Sequence, residues 1–351
     1  MQVLEHATQH KGMAAAPVAQ PINPQKTLDS FGRRINYLRV SLTDKCNLRC
    51  VYCMPEQMVF RPNDELLSDD EMVKVLRATS LLGFDKYRLT GGEPTVRPSL
   101  IDIVKEIRAL PNTREIAMTT NGLRLAKLAA PLKQAGLDRV NVSIDSLDPA
   151  RYKRITRWGK VEDVLAGIQA AEDAGLTPVK LNAVVLKDFN EQDLIPLAGL
   201  TLNKDWQFRF IEVMPFADVA EFQQASIITT AHMIERLEAH YGKLILENGG
   251  KLDGEAQMYR IPGAAGTLGF ISPVSAPFCA NCNRVRLTAD GTLRLCLLKD
   301  GELDLKTPLR RGASEADLAE LMRASIWTKP WGHSLSDGVI PLNRIMSEIG
   351  G

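Results

Sequence analysis

The chain has 351 residues, and its 43 Lys and Arg against 42 Asp and Glu leave a formal net charge of +1. This balance argues against a protein that binds nucleic acid through bulk charge, while a local basic pocket stays compatible with it. Hydrophobic residues make up 45% and charged residues 24%, which is typical of a globular protein. No apolar run approaches the roughly 18 residues of a membrane span. The first residues contain no apolar stretch of the kind found in secretory signals, so we expect no such signal. We therefore expect a cytoplasmic protein without a membrane or nucleic-acid partner.

Strand and helix patterns alternate along most of the chain. Residues 1–30 are rich in Ala, Pro and Gln without a period and predict a flexible tail. The predicted strands then cover 37–42, 87–90, 115–119, 139–144, 179–185 and 208–213, each followed by a predicted helix. Six such alternations within residues 31–245 predict an α/β fold with parallel strands joined by crossover helices. A partial (β/α)6 TIM-like barrel and a doubly wound open sheet both fit, and the placement of unusual residues favours the barrel.

The pattern changes beyond residue 245. Short β-like pieces at 258–261 and 268–271 precede two further strands, at 284–288 and 292–296. These two strands flank Asp290-Gly291, a strong turn signal that predicts a hairpin. A final helix is predicted to open at Ser314. We therefore predict that residues 246–351 form a C-terminal α+β extension beside the barrel core.

The six cysteines fall into two triplets, one after the first predicted strand and one in the extension. In a large cytoplasmic chain, clustered thiols favour metal or cluster ligation over disulfides. Each triplet lacks one ligand of a closed four-cysteine site, which suits a 4Fe-4S cluster with an open iron better than a structural zinc. A zinc site and unliganded thiols stay open as alternatives. The triplets are Cys46, Cys50 and Cys53, and Cys279, Cys282 and Cys296.

Several unusual residues follow the predicted strands, at the end of a parallel barrel where active sites lie. Alone, each is more typical of a turn or a core position, but their shared location indicates a site. They are Thr90-Gly91-Gly92-Glu93-Pro94 after the second strand, Thr119-Thr120-Asn121-Gly122 after the third, Ser143 and Asp145 at the end of the fourth, and Met214 after the sixth.

Basic residues in the predicted strands indicate an anionic substrate. Arg284 and Arg286 alternate in one strand, so their side chains share a face. Each basic residue alone fits a surface or an ion pair, but together they predict a pocket for a triphosphate, which arginine forks bind well. The others are Arg39, Arg88, Lys180 and Arg209.

The segment CNLRCVYC, from Cys46 to Cys53, resembles the signature of the radical S-adenosylmethionine enzymes. This resemblance implies a first 4Fe-4S cluster whose open iron binds S-adenosylmethionine. It also implies that an electron from this cluster cleaves the sulfonium to a 5′-deoxyadenosyl radical. The positions that match the family's S-adenosylmethionine contacts are Tyr52, Gly92, Ser143 and Met214.

The second triplet with its embedded NRVR, together with RLTGGEP and the terminal Gly350-Gly351, resembles the GTP 3′,8-cyclase family of molybdenum cofactor biosynthesis. The resemblance runs from about residue 32 to 351. It implies a second 4Fe-4S cluster at whose open iron guanine is held. It also implies cyclisation of GTP to (8S)-3′,8-cyclo-7,8-dihydroguanosine 5′-triphosphate. The implied GTP contacts are Arg39, Arg88, Thr119, Lys180, Arg209, Arg284 and Arg286, and the implied catalytic residues are Arg284, Arg286, Gly350 and Gly351, the last two in a tail that enters the active site.

The resemblance also implies partners. An external one-electron reductant is required, and a downstream cyclic pyranopterin monophosphate synthase is a functional partner. The sequence does not determine the oligomeric state, and a homodimer is one of the alternatives. The rival interpretations are a radical S-adenosylmethionine enzyme that modifies peptides and a non-catalytic zinc or iron–sulfur protein.

Overall fold

A twelve-stranded sheet organises the protein in the computed structural model, which describes residues 27–216 and 220–350. The order of strands across the sheet is β12-β11-β10-β1-β2-β3-β4-β5-β6-β9-β8-β7. Neighbours from β10 through β1–β6 to β9 are all parallel. The strands are β1 (Tyr37–Ser41), β2 (Lys86–Thr90), β3 (Glu115–Thr120), β4 (Arg139–Ser143), β5 (Lys180–Val185), β6 (Gln207–Glu212), β7 (Ile245–Leu246), β8 (Gln257–Arg260), β9 (Thr267–Ile271), β10 (Arg284–Leu287), β11 (Thr292–Arg294) and β12 (Glu302–Asp304).

Helices connect the parallel strands and cover one face of the sheet. Ser68 begins the first of them with a capping box, accepting a hydrogen bond from the Glu71 amide at 3.2 Å. No helix in the described part of the chain is both long and apolar enough to cross a bilayer. The helices are α1 (Asp69–Leu81), α2 (Leu100–Ala109), α3 (Leu125–Ala135), α4 (Pro149–Thr156), α5 (Val161–Asp173), α6 (Leu194–Gly199), α7 (Ala220–Ala225), α8 (Thr230–Tyr241), α9 (Lys306–Arg310), α10 (Glu315–Trp327) and α11 (Met346–Ile349).

The predicted α/β class and the partial TIM-like barrel are confirmed. The six predicted strands of the core are β1–β6, in sequential parallel order. In the described sheet, the end strands β7 and β12 do not pair with each other, so hydrogen bonding leaves the barrel open. Several short elements were not predicted, because a segment of a few residues shows too little periodicity to be recognised. They are α4, α7, α9, α11, β7 and β12.

The residues assigned to the extension are built into the same sheet. Strand β9 pairs in parallel with β6, and β10 pairs in parallel with β1. The predicted hairpin is present as the antiparallel pair β10–β11. The extension thereby covers both edges of the six-stranded core, whose backbone groups would otherwise stay unpaired.

The structure also bears on the beginning of the chain. Residues 1–26 of the predicted tail lie outside the described residues. Thr27 and Asp29, which the tail was predicted to include, are each only 1% exposed. The Asp29 carboxylate forms an ion pair with Arg33 at 2.6 Å. The Ser30 amide donates to the Trp327 carbonyl at 3.2 Å, so the last tail residues pack against the end of α10.

Alternation along the strands sorts apolar and polar side chains to opposite faces. In β1, Leu38 and Val40 join the main hydrophobic core against the helices, whereas Arg39 faces a cavity on the other side of the sheet. In β2, Leu89 belongs to the core and Arg88 to the cavity. The inner face of the barrel is therefore a polar surface available for a site.

Candidate active site

The inner face encloses a cavity of about 1920 Å³, its open mouth included. Both cysteine triplets line it. Of the other predicted site residues, those on its wall are Arg39, Tyr52, Arg88, Gly92, Thr119, Ser143, Arg209, Met214, Arg284 and Arg286. Lys180 is not on the wall; its ammonium bonds the Asp253 carboxylate at 2.8 Å. Gly350 lies beside the cavity, bonded to Arg286, and Gly351 is outside the described residues.

The first triplet occupies a loop that follows β1 and turns back on itself. The Cys53 amide donates to the Cys50 carbonyl at 2.9 Å, which closes the second half of this loop. Burial, together with Glu93, raises the pKa of Cys46 to about 11. Burial, together with Cys46, raises the pKa of Cys53 to about 12. These thiols hold protons that a metal centre would displace, because ligation requires the thiolate.

Tyr52 of this loop is held at both its ring and its backbone. Its hydroxyl donates to the Asp145 carboxylate at 2.9 Å, and the Gln223 side chain donates to its carbonyl at 2.7 Å. Burial raises the pKa of Asp145 to about 6. The other Asp145 oxygen accepts from the Val184 amide at 2.9 Å. The ring thus has a defined position, although sequence analysis did not find Gln223, which lies on the short helix α7.

The glycine turn after β2 packs directly on the cysteine loop. A Cβ at Gly92 would lie 2.4 Å from the carbonyl oxygens of both Asp44 and Lys45. Gly91 has φ of +148°, and a Cβ there would lie 2.5 Å from the Thr43 carbonyl. Only glycine allows this approach, so a side chain at either position would displace the loop that carries the first triplet.

Glu93 ties this turn to the next strand. The carboxylate is 1% exposed and accepts hydrogen bonds from the hydroxyls of Thr95 and Thr120, at 2.6 and 2.7 Å. It also accepts from the Asn121 amide at 2.7 Å. The two segments predicted to follow β2 and β3 therefore meet through one buried carboxylate, which rigidifies this side of the cavity.

The second triplet lies in a different electrostatic environment. The β10–β11 hairpin returns the chain so that Cys296 lines the same cavity as Cys279 and Cys282. Burial alone would raise the pKa of Cys282, but the charges of Lys329 and Arg284 outweigh it and hold the pKa below its usual value. Cations therefore accompany the second triplet, whereas carboxylates accompany the first.

Two basic residues behind the second triplet were not predicted. Lys329 is 2% exposed, and its ammonium donates to the Leu295 carbonyl. Arg33 donates to the Cys279 carbonyl at 2.8 Å. Both lie far in sequence from the cysteines that they approach, and no local pattern marks them.

Arginines crowd the wall between the two triplets. Arg286, Arg39 and Arg88 stand abreast on β10, β1 and β2, each at most 8% exposed. Within the described residues, neither Arg88 nor Arg209 forms an ion pair with a carboxylate. Each has a buried guanidinium nitrogen without a hydrogen-bond partner. Buried donors without acceptors are costly, so this wall is suited to an anionic ligand.

Glu255 supplies a counter-charge that sequence analysis missed. Its carboxylate contacts Arg39 at 2.6 Å and Arg284 at 2.8 Å. Burial would raise the pKa of Glu255, but Arg284 and Arg39 outweigh burial and hold it well below the usual range. It precedes β8 in an irregular loop whose sequence carries no periodic signal.

The residues on the wall fit the predicted cofactors. Thiolates are the ordinary ligands of 4Fe-4S clusters, and a triplet leaves one iron open. In the described part of the chain, no three His, Cys, Asp or Glu side chains converge on a single-ion site; a four-iron cluster instead takes each thiolate on a different iron. The crowded glycine turn and the unpaired guanidinium nitrogens suit ligands that approach the backbone closely and carry negative charge.

Known proteins match most of the chain. Residues 40–200 match the Radical SAM superfamily, and residues 206–335 match Molybdenum Cofactor Synthesis C. A GTP 3′,8-cyclase of Pelotomaculum thermopropionicum (strain DSM 13744 / JCM 10971 / SI) is 46% identical over 324 residues, 92% of this chain and 99% of that protein. A GTP 3′,8-cyclase of Mycobacterium sp. (strain KMS) is 46% identical over 341 residues, 96% of each chain.

A solved structure bears on the fold. Streptococcus suis SuiB bound to S-adenosylmethionine matches with a TM-score of 0.57 at 12% identity, over 86% of this chain and 73% of that one. This likeness agrees with the partial barrel described above. Together with the relatives that match nearly the whole length, it leads to one assignment. The chain belongs to the GTP 3′,8-cyclase family of radical S-adenosylmethionine enzymes.

Proposed function

We propose that this protein converts GTP to (8S)-3′,8-cyclo-7,8-dihydroguanosine 5′-triphosphate, the first step of molybdenum cofactor biosynthesis. The observation that carries the proposal is one cavity in which two cysteine triplets flank a wall of buried arginines. One end can hold a cofactor that starts radical chemistry, and the other end and the wall between can hold a nucleoside triphosphate.

The first triplet and its surroundings have the features of a cofactor site. Cys46, Cys50 and Cys53 would hold a 4Fe-4S cluster, which with S-adenosylmethionine would supply the radical that abstracts hydrogen, a step outside the acid–base chemistry of closed-shell side chains. Tyr52, fixed by Asp145, offers an oriented ring beside the triplet. The turn at Gly92 brings backbone groups close to the same space. With Ser143 and Met214 on the wall, these residues form the proposed S-adenosylmethionine site.

The second triplet and the arginine wall have the features of a nucleotide site. Cys279, Cys282 and Cys296 would hold the second 4Fe-4S cluster beside the guanine. Guanidinium groups bind phosphate oxygens through paired donors, and their burial strengthens each contact. The chain's contribution is to position the ribose near the radical source and to exclude water. The proposed triphosphate and ribose contacts are Arg39, Arg88, Thr119, Arg209, Arg284 and Arg286.

Lys180 remains a predicted GTP contact, but unlike the arginines on the wall it lies off the cavity and is paired with a carboxylate. Burial, together with Arg209, lowers the pKa of Lys180 to about 8. Its ammonium is engaged by Asp253, so binding GTP would require exchange of this partner.

A product assay tests the proposed function. Anaerobic enzyme with reconstituted clusters is incubated with GTP, S-adenosylmethionine and dithionite, and 5′-deoxyadenosine and nucleotide products are quantified. We expect one cyclised GTP product that is absent without S-adenosylmethionine. Cleavage that proceeds equally with and without GTP, and yields no nucleotide product, would retain radical chemistry but contradict the cyclase assignment.

The partners and the location form part of the same proposal. Cleavage of S-adenosylmethionine consumes an electron, so a one-electron reductant must supply it. The cyclised triphosphate requires a further rearrangement, which assigns a cyclic pyranopterin monophosphate synthase to the next step. We further propose a cytoplasmic location, which suits six free thiols. Sedimentation analysis would show whether the protein forms a homodimer.

Replacing Arg286 by alanine is expected to weaken GTP binding by about 1.5–3 kcal/mol, the value of a hydrogen bond to a charged group. Burial, followed by the charges of Arg39 and Arg284, lowers the pKa of Arg286, and a bound polyanion relieves that repulsion. Anaerobic equilibrium dialysis measures the affinity. Arg323→Ala, on the exposed face of α10, is the control. Unchanged affinity in the Arg286 variant would place the triphosphate elsewhere.

Replacing Gly350 by alanine is expected to reduce GTP turnover more than GTP affinity. The carbonyl of Gly350 accepts from Arg286, its φ is +83°, and a Cβ would lie 2.4 Å from the Thr90 hydroxyl. Strain of this kind costs about 1–3 kcal/mol, so the C-terminal tail would move away from Arg286 and Thr90. The dissociation constant and kcat, measured on the same preparation, separate the two effects. Wild-type kcat in this variant would show that turnover does not depend on the contact between the tail and Arg286.

A further inference from the structure

Segment 151–160 concentrates positive charge in a nearly neutral chain. Its sequence, RYKRITRWGK, contains five basic residues and no acidic one. Lys153, Arg154 and Lys160 are exposed, and none of them forms an ion pair with a carboxylate of the described residues. Trp158 is 52% exposed among them. The segment includes most of α4 and the turn before α5, neither of which the proposed cyclisation uses.

This segment packs on the outside of the first cysteine loop. The Arg49 amide donates to the Thr156 carbonyl at 3.2 Å, and the Val51 amide donates to the Ile155 carbonyl at 3.0 Å. These two amides flank Cys50. None of residues 151–160 lines the cavity. A protein seated on the segment would therefore approach the first cluster without obstructing the nucleotide.

The exposed tryptophan is connected to the cysteine loop by direct contact. The Arg49 guanidinium carbon lies 4.5 Å from the Trp158 ring centroid and 4.7 Å from the Phe60 ring centroid. Arg157 donates to the Arg49 carbonyl at 2.8 Å. Because these contacts fix Trp158 in place, its exposed face is a pre-formed apolar anchor in the same segment as the exposed basic residues.

We propose that the surface formed by Lys153, Arg154, Trp158 and Lys160 is the docking site of a small acidic one-electron carrier protein. The inference rests on the proposed function, which requires an external electron. One electron would leave the reduced carrier, which is oxidised, for the cluster that Cys46, Cys50 and Cys53 would hold; no atom or proton is transferred. Electron transfer slows steeply with distance, so a donor must dock close to this loop.

The charge of the surface selects the partner. An acidic carrier is steered toward a basic surface before contact, which raises the association rate at low salt. Encounters of electron-transfer proteins bury little area and separate readily, so a few charges around one aromatic anchor suffice.

A charge-reversal experiment tests the docking site. The double variant Lys153→Glu/Lys160→Glu is compared with Lys243→Glu/Lys251→Glu, a matched pair of exposed lysines without carboxylate partners. Fluorescence of a labelled acidic flavodoxin reports its affinity for each reconstituted holoenzyme. GTP-dependent 5′-deoxyadenosine formation is measured with reduced flavodoxin and, separately, with dithionite.

We expect the first pair to raise the dissociation constant and the KM for flavodoxin about tenfold at low salt, as loss of charge complementarity does. Dithionite-driven formation should stay at the wild-type level, and added salt should narrow the difference between variant and wild type. Wild-type flavodoxin affinity and KM in the first pair would overturn the proposal, as would equal losses in both pairs. If the first pair alters the oligomeric mass and leaves the flavodoxin kinetics unchanged, the surface forms a contact between copies of this chain. That result would also overturn the proposal. Absence of a GTP product with dithionite in the wild type would contradict the proposed function itself.

Discussion

Replacing Cys46 by alanine is expected to abolish reductive cleavage of S-adenosylmethionine. The first triplet has no spare thiol. It follows the end of β1, whereas Cys279 and Cys282 precede the start of β10, which runs parallel to β1. With two thiolates left, the site would not retain a four-iron cluster with one open iron. Chromatography of 5′-deoxyadenosine in the presence of dithionite measures cleavage. Iron and sulfide should fall from about eight of each per chain toward about four.

The Cys46 experiment also decides between the metal alternatives. If the purified protein carries zinc and little sulfide, the alternative interpretation as a non-catalytic metalloprotein would be supported. Cleavage retained in the Cys46 variant would remove this residue from the ligand set. Met54→Leu, a buried substitution just after the same loop, controls for general disturbance of the loop.

Replacing Cys282 by alanine is expected to separate the two halves of the reaction. Among the described residues, the groups that hold the first site, including Tyr52, Gly92 and Glu93, make no hydrogen bond to the second triplet, so some cleavage of S-adenosylmethionine should persist. Conversion of GTP should be lost, because the second cluster and the cationic surroundings of Cys282 lie where the guanine is proposed to bind. The ratio of 5′-deoxyadenosine to cyclised nucleotide, near one for a coupled enzyme, should rise steeply.

Two outcomes would contradict this separation. Wild-type GTP conversion by the Cys282 variant would show that the second triplet serves structure alone. Complete loss of cleavage, with the first cluster still present by its iron content, would show that the two ends of the cavity are not independent. Cys296→Ala should reproduce the result, because both residues belong to one triplet.

Local patterns in the sequence were sufficient for the class of fold and for the prediction that the two cysteine triplets are cluster ligands. Strand and helix periods are properties of short segments, and the spacing within CNLRCVYC specifies one loop. The alternation of Arg284 and Arg286 likewise places both side chains on one face of their strand, whatever the neighbouring strand. These features depend on residues that are close in the chain, so they could be predicted without knowledge of what packs against them.

Only the tertiary structure decided how distant segments meet. The pairing of β10 and of β2 with β1 sets Arg286, Arg39 and Arg88 side by side. The loop before β8 brings Glu255 between Arg39 and Arg284. Lys180 lies off the cavity wall and is bound to Asp253, which comes from the same loop before β8. Contacts of this kind arise from strand register and loop closure between remote residues, and no short pattern encodes them. The sequence by itself therefore determined most of the candidate groups, and the fold decided which of them share a wall.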